Sequence, residues 1–252
     1  MYTLKKSLGQ HFLRDENMVL KIISALQQHS FNALLEVGPG GGALTKHLIE
    51  ISGIDFKAVE LDEEKIAFLE NTYPSIKGKI IHDSILEIDA PFDKDFMVIG
   101  NFPYNISSQI LFKILEWRSH VQGMVGMFQK EVAQRIAAKH GNKTYGILSV
   151  LVQAFFEVEY LFEVHEQCFN PPPKVKSAVI QLTPRKELLN IQDEPFFFTL
   201  VKTAFNQRRK MLRNAVKNLF NEEILKKPIF DKRAEQLSVH DFVELSHLHK
   251  LV

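Results

Sequence analysis

The chain has 252 residues, enough for one large α/β domain and a small satellite, each with its own core. Apolar residues make up 45% and charged residues 24%, a globular balance that excludes a disordered chain. With 31 basic and 30 acidic residues the formal charge is +1, so any polyanion partner must be sought in local clusters. No apolar run approaches the roughly 20 residues a bilayer needs. The longest, residues 147–156, is broken by Ser149 and Gln153. Lys5 and Lys6 have no apolar stretch behind them, which argues against a signal peptide. A lone cysteine, Cys168, allows no internal disulfide, and a cytoplasmic location is expected.

In chain order, residues 17–28 have helical apolar spacing behind Asp15, a suitable N-cap. Residues 33–37 form a short apolar run that ends in a glycine cluster, and 43–51 return to helical spacing. A strand over 56–61, a helix over 63–70 and strands over 79–82 and 96–99 follow. Residues 107–117 are expected as helix, 122–128 as strand, and 130–139 and 145–155 as helices. Strands over 157–163 and 177–183 close this part, separated by the stiff Asn-Pro-Pro-Pro segment at 170–173. Strands alternating with helices predict a doubly wound, mostly parallel seven-stranded α/β sheet. Beyond Pro184 the pattern becomes helical, which predicts a large domain over 1–185 and a small helical domain over 186–252.

The segment Glu36-Val37-Gly38-Pro39-Gly40-Gly41-Gly42 leaves a strand and opens a helix. Such glycines allow positive φ and close approach of backbone to a ligand. Gly38, Gly40 and Ala43 also satisfy the dinucleotide fingerprint, so the loop alone does not separate a nicotinamide cofactor from S-adenosylmethionine. Three acids tilt the choice. Glu36 is placed to face a cationic methionine moiety, where a pyrophosphate would be repelled. Glu60 and Asp83 end the next two strands, suited to accept from ribose hydroxyls and from an adenine amine.

Asn101-Phe102-Pro103-Tyr104 follows the strand over 96–99 and is the most specific signal. An adenine N6 amine is a weak nucleophile because its lone pair is delocalised into the ring. Two acceptors that bind its hydrogens, the Asn101 side-chain oxygen and the Phe102 carbonyl, would aim that lone pair at an electrophilic methyl. Pro103 stiffens the loop and removes a donor, and Tyr104 offers a face for the base. No strong general base is required, and positioning in a preorganised site supplies the rate.

These residues occur in order with Gly9-Gln10-His11-Phe12-Leu13, with Phe169 through Val175 plus Ser177, and with Ala204-Phe205 before Arg208-Arg209-Lys210. In this the chain resembles the ribosomal RNA adenine dimethyltransferase family, within it the bacterial small-subunit (16S) branch linked to kasugamycin sensitivity. The resemblance implies a class I methyltransferase fold and S-adenosyl-L-methionine as cofactor. It implies N6,N6-dimethylation of two adjacent adenosines in the 3′-terminal hairpin of 16S rRNA, within the immature small subunit. It places His11, Leu13, Glu36, Gly38, Gly40, Glu60, Asp83 and Asn101 at the cofactor, and Phe169 across the target base from Tyr104. Two positions depart from the family: Phe102 replaces the usual leucine, changing the pocket wall, and His11 stands where asparagine is also common.

Basic residues cluster without acids at 195–221 and 167–186, and Lys174, Lys176, Arg208, Arg209, Lys210 and Arg213 are the expected RNA contacts. No metal and no membrane are expected to take part. Rival readings are a large-subunit methyltransferase of the erythromycin-resistance branch, an assembly factor that mainly binds, and a nicotinamide oxidoreductase.

Overall fold

The computed structural model describes residues 11–248. Contacts divide the chain into two compact units. One comprises residues up to Ala133 together with Glu159–Pro184, and the other Gln134–Val158 together with residues from Arg185 onward. The division after Pro184 lies at the composition change. The departure of 134–158 to the second unit had no counterpart in the sequence pattern.

The first unit opens with β1 (Phe12–Leu13) and α1 (Glu16–Leu26). The Asp15 side chain accepts from the Met18 N–H at 3.2 Å, and Val19, Ile22, Ile23 and Leu26 turn one face into the core. Next come β2 (Ala33–Val37), α2 (Thr45–Leu48), β3 (Asp55–Glu60), α3 (Glu63–Thr72) and β4 (Ile80–His82). Asp62 caps α3 by accepting from Glu64 N–H at 3.1 Å. The α2 helix is shorter than the 43–51 spacing suggested. Its flanks carry i→i−3 bonds such as Gly42 N–H to Pro39 O and Ile51 N–H to Leu48 O.

The chain then returns to the middle of the sheet as β5 (Phe96–Asn101), α4 (Ser107–Glu116) and β6 (Val121–Gln129). The α5 helix (Lys130–Ala137) leads out of this unit, α6 (Ile147–Gln153) lies in the other, and β7 (Phe156–Val164) leads back. β8 (Phe169–Asn170) and β9 (Ser177–Pro184) complete it. The seven-stranded order is β4-β3-β2-β5-β6-β9-β7. The β2–β3, β3–β4, β2–β5 and β5–β6 pairs are parallel, and β6–β9 is antiparallel. β2 is buried at every position, as a central parallel strand requires.

β1 and β8 form a separate two-stranded antiparallel sheet, with Phe12 opposite Asn170 and Leu13 opposite Phe169. Two-residue strands carry no periodicity, so this pairing has no sequence signature. It brings the N-terminal motif to the Asn-Pro-Pro-Pro segment across about 160 residues of chain, the separation given by the His11–Pro171 contact.

The second unit is built on aromatic contacts. α7 (Glu194–Asn206) is capped by Asp193 and buries Phe196, Phe197, Leu200, Val201, Ala204 and Phe205. It is followed by α8 (Leu212–Ala215), α9 (Glu222–Leu225) and α10 (Val239–His247). Phe220 packs on Phe196 and Phe230, and Phe205 on Tyr145 and Phe242. Ser238 and Asp241 cap α10 reciprocally, at 2.8 and 3.0 Å.

Candidate active site

The order of the parallel strands reverses between β2 and β5. Open α/β sheets bind ligands beyond the strand ends at such a point. Glu36 lies opposite Ile99, so Gly38 and Asn101, each two residues further on, reach the same end of the sheet. A cleft of about 270 Å³ opens there, lined by His11, Phe12, Leu13, Glu36 to Gly41, Ala43, Leu44, Val59 to Leu61, Lys65, Asp83 to Leu86 and Asn101 to Ile106.

The glycine loop has positive φ at Gly38 (+68°), Gly40 (+56°) and Gly42 (+80°). At Gly42 a side chain is also excluded by contact, because a Cβ would stand 2.7 Å from the Tyr73 ring. The Gly40 N–H donates to Glu60 Oε2 at 3.3 Å, tying the loop to the end of β3. Glu60 Oε1 accepts from Leu61 and Asp62 N–H, both at 3.0 Å. Its Oε2 has longer contacts, Gly40 N–H and the Lys65 ammonium at 3.7 Å, and is the oxygen best placed to accept from a ligand.

Glu36 is 1% exposed and its Oε2 accepts from the Thr45 hydroxyl at 2.8 Å. Burial pushes its carboxyl up to about 8, against the Thr45 bond and helped by the nearby Glu60 charge. A carboxyl desolvated to this degree favours its neutral form, and a cation bound beside it on the cleft wall would offset that cost and draw it into the ionised form. Asp83 is exposed at the cleft, with Oδ1 accepting from its neighbour Ser84 N–H.

Asn101 is the last residue of β5 rather than the first after it. Its Nδ2 donates to the His11 carbonyl at 3.1 Å, which fixes the amide orientation and leaves Oδ1 as an acceptor. His11 Nδ1 in turn donates to Pro171 O at 2.8 Å. Tyr104 stacks obliquely on His11, with centroids 5.8 Å apart, and its hydroxyl bonds Ser177 Oγ. Burial raises the Tyr104 phenol, opposed by that bond.

Two expectations are corrected, and two basic residues are found with partners within the chain. Phe102 borders the cleft, but its ring lies in the core at 1% exposure, edge-on to Phe128 with centroids 5.0 Å apart. Gly100 and Gly126 leave the space for it, so the replacement of leucine changes the packing of the sheet more than the pocket wall. Phe169 is fully buried among Leu13, Val164 and Val179 rather than presenting a face opposite Tyr104, because its pairing with Leu13 turns it into the core. Arg208 and Arg213 are engaged within the chain. Arg208 bonds Glu235 Oε2 (Nε 2.8 Å, Nη2 2.7 Å) and the Lys143 carbonyl, and Arg213 pairs with Asp231.

Lys174, Lys176, Arg209 and Lys210 are exposed. Lys5, Lys6, Gly9 and Gln10 lie outside the described residues. Phe12, present in the N-terminal motif, and Lys65 were given no role from the sequence. The Phe12 ring lies 3.2 Å from where a Gly40 Cβ would stand, and Lys65, 5% exposed, places its ammonium 5.9 Å from that ring. Lys65 reads as one more surface lysine of α3, and only the fold turns it toward Glu60. Among the described residues no three His, Cys, Asp or Glu side chains are grouped to hold a metal. No described helix is long and apolar enough to cross a membrane.

This sheet, with its glycine loop and acidic strand ends at the switch point, is the class I methyltransferase fold. Residues 1–250 match the ribosomal RNA adenine dimethylase family, and the chain belongs to it. It is 50% identical over 248 residues to "Ribosomal RNA small subunit methyltransferase A" of Cytophaga hutchinsonii, covering 97% of this chain and 96% of that one. The Parabacteroides distasonis protein of the same name is 51% identical over 257 aligned positions, covering 98% and 96%. A dimethyladenosine transferase structure from Plasmodium falciparum superposes with a TM-score of 0.82 at 26% identity, covering 95% of this chain and 98% of that one. The 23S rRNA methyltransferase ErmE shares the fold, with a TM-score of 0.69 at 23% identity, covering 92% and 98%.

Proposed function

We propose that the chain transfers methyl groups from S-adenosylmethionine to N6 of two adjacent adenosines in the 3′-terminal hairpin of 16S rRNA, giving N6,N6-dimethyladenosine. The reaction belongs to small-subunit assembly in the cytoplasm. The carrying observation is the fixed amide of Asn101, whose nitrogen is committed to His11 and whose oxygen is left to accept from an amine. The names of the bacterial relatives support the small-subunit substrate.

The cleft suits this cofactor. Glu60 Oε2 would accept from the ribose, Asp83 from the adenine amine, and buried Glu36 would pair with the methionine ammonium. When bound, the cofactor supplies an electrophilic sulfonium methyl. Asn101 Oδ1 and the Phe102 carbonyl would accept the two N6 hydrogens and aim the nitrogen lone pair. Tyr104 would hold the base by stacking. The amine becomes acidic on methylation and loses its proton without a strong base, so these residues act by positioning. Exposed Lys174 and Lys176, with Arg209 and Lys210 of a helical RNA-binding region over 186–252, would hold phosphates while the adenosine is drawn out of its stack.

The test is methyl transfer from labelled S-adenosylmethionine to unmethylated small and large ribosomal subunits, with nucleoside analysis. Dimethyladenosine near the 3′ end of 16S RNA is expected, and transfer to large subunits alone would overturn the substrate. Asn101→Ala is expected to bind cofactor within about threefold of wild type and lose about 100-fold or more in turnover. Near-normal turnover would remove Asn101 from its role.

A further inference from the structure

Ser177 is the first residue of β9 and is fully buried. Its backbone is pinned by register, opposite Gln129 at the end of β6, and the preceding Lys176 carbonyl accepts from Lys130 N–H at 2.9 Å. Its hydroxyl bonds the phenol of Tyr104. At its backbone, the Tyr104 carbonyl accepts from Ser107 Oγ at 3.2 Å, so Tyr104 is held at both its main chain and its hydroxyl. His11 links the same loop to the same site through Pro171 O at 2.8 Å and stacks beside Tyr104. The segment from Pro171 to Ser177 thus carries the exposed Lys174 and Lys176 between two anchors, one on His11 at the cofactor side of the cleft and one on Tyr104.

We propose that Ser177 is a positioning residue for the second methyl transfer, setting the Tyr104 ring against which the monomethylated adenine is aligned. The inference rests on the dimethylation reading above. In the first transfer N6 has two hydrogens, one for each of the acceptors Asn101 Oδ1 and Phe102 O. After it, one hydrogen has been replaced by methyl and only one acceptor can be engaged. The alignment lost with that hydrogen bond falls on the remaining contact, the stacked ring. A ring released from Ser177 retains its apolar area but not its angle. The second step should therefore suffer more than the first.

The experiment is a time course on unmethylated small subunits with labelled S-adenosylmethionine, resolving mono- from dimethyladenosine. Wild type, Ser177→Ala, Ser177→Thr, Tyr104→Phe and the Ser177→Ala/Tyr104→Phe double variant are compared. Cofactor affinity is measured separately by calorimetry. Ser177→Ala should keep cofactor affinity within about twofold, slow the second transfer about tenfold more than the first, and accumulate monomethyladenosine. Ser177→Thr, which keeps the hydroxyl, should restore the wild-type product ratio. Tyr104→Phe removes the same bond from the other partner, so it should reproduce the shift even where Ser177→Ala folds poorly, with the double variant no worse than either single change. Equal slowing of both steps in Ser177→Ala and Tyr104→Phe would overturn the inference. If wild type itself makes no dimethyladenosine, the reaction assignment fails first.

Discussion

Gly126→Ala is predicted to damage the catalytic segment from behind. A methyl group on Gly126 would stand 2.4 Å from Phe102 Cε2, 2.9 Å from Phe128 Cε2 and 3.2 Å from Met124 Cε. Carbon atoms pack at about 3.5–4.0 Å, so the Phe102 ring must retreat by about 1 Å. It has nowhere to go: Phe102 is 1% exposed, Phe128 and Met124 are 0%, and Gly100 passes close on the other side. Overpacking of this kind costs about 1–3 kcal/mol, and Tm should fall about 2–4 °C per kcal/mol in a chain of this size. The ring shares its backbone with the tetrapeptide, so the retreat also moves the Phe102 carbonyl. A displacement of about 1 Å is worth roughly 100-fold in rate. Phe102→Leu removes the clashing ring edge. Alone it should cost about 1–2 kcal/mol in lost contacts, but combined with Gly126→Ala it should recover about 1 kcal/mol or more relative to additivity. Urea unfolding followed by circular dichroism, with methyl transfer to small subunits, measures both effects. Unchanged stability and turnover in Gly126→Ala, or strict additivity with Phe102→Leu, would refute the packing argument.

Glu36 should give cofactor binding a pH dependence. Its carboxyl is raised to about 8, so a bound ammonium must expel a proton below that pH, and affinity should tighten as pH rises from 6 towards 8. Glu36→Gln should flatten the profile in calorimetry, and an unchanged slope would exclude Glu36 as the titrating group. The same shift gives a stability contribution fully present below the unfolded carboxyl value and lost as pH rises through about 8, so unfolding of Glu36→Gln should lack that decline. Arg209→Ala and Lys210→Ala should each lower the salt dependence of RNA binding by about one unit of slope. Arg208→Ala should leave that slope unchanged and cost about 1 kcal/mol or less, because its partner is Glu235 and the pair is partly exposed. An equal loss of slope in Arg208→Ala would show that it meets phosphate directly.

Local chemistry made much of the sheet and cleft legible. The apolar run of β2 is buried at every position, and the glycines at 38, 40 and 42 take the positive φ that their residue type permits. Acids at three strand ends and the rigid tetrapeptide also line the cleft where an alternating strand–helix order would gather them. These features depend on neighbours in sequence or on a winding rule with one dominant hand, so residue type and spacing are enough.

Contacts that close over long separations left no such trace. The pairing of Leu13 with Phe169 needs two strands of two residues each, and it sends Phe169 into the core although an aromatic beside prolines suits a base equally well. The partner of Arg208 lies 27 residues away, and a run of basic side chains reads the same whether its members face phosphate or a carboxylate of the same chain. Lys65 looks like any lysine of an amphipathic helix until α3 turns it under Phe12. Residue type sets what a side chain can do. Only packing, which excludes water and chooses a single partner among several of similar chemistry, decides which of those options it takes.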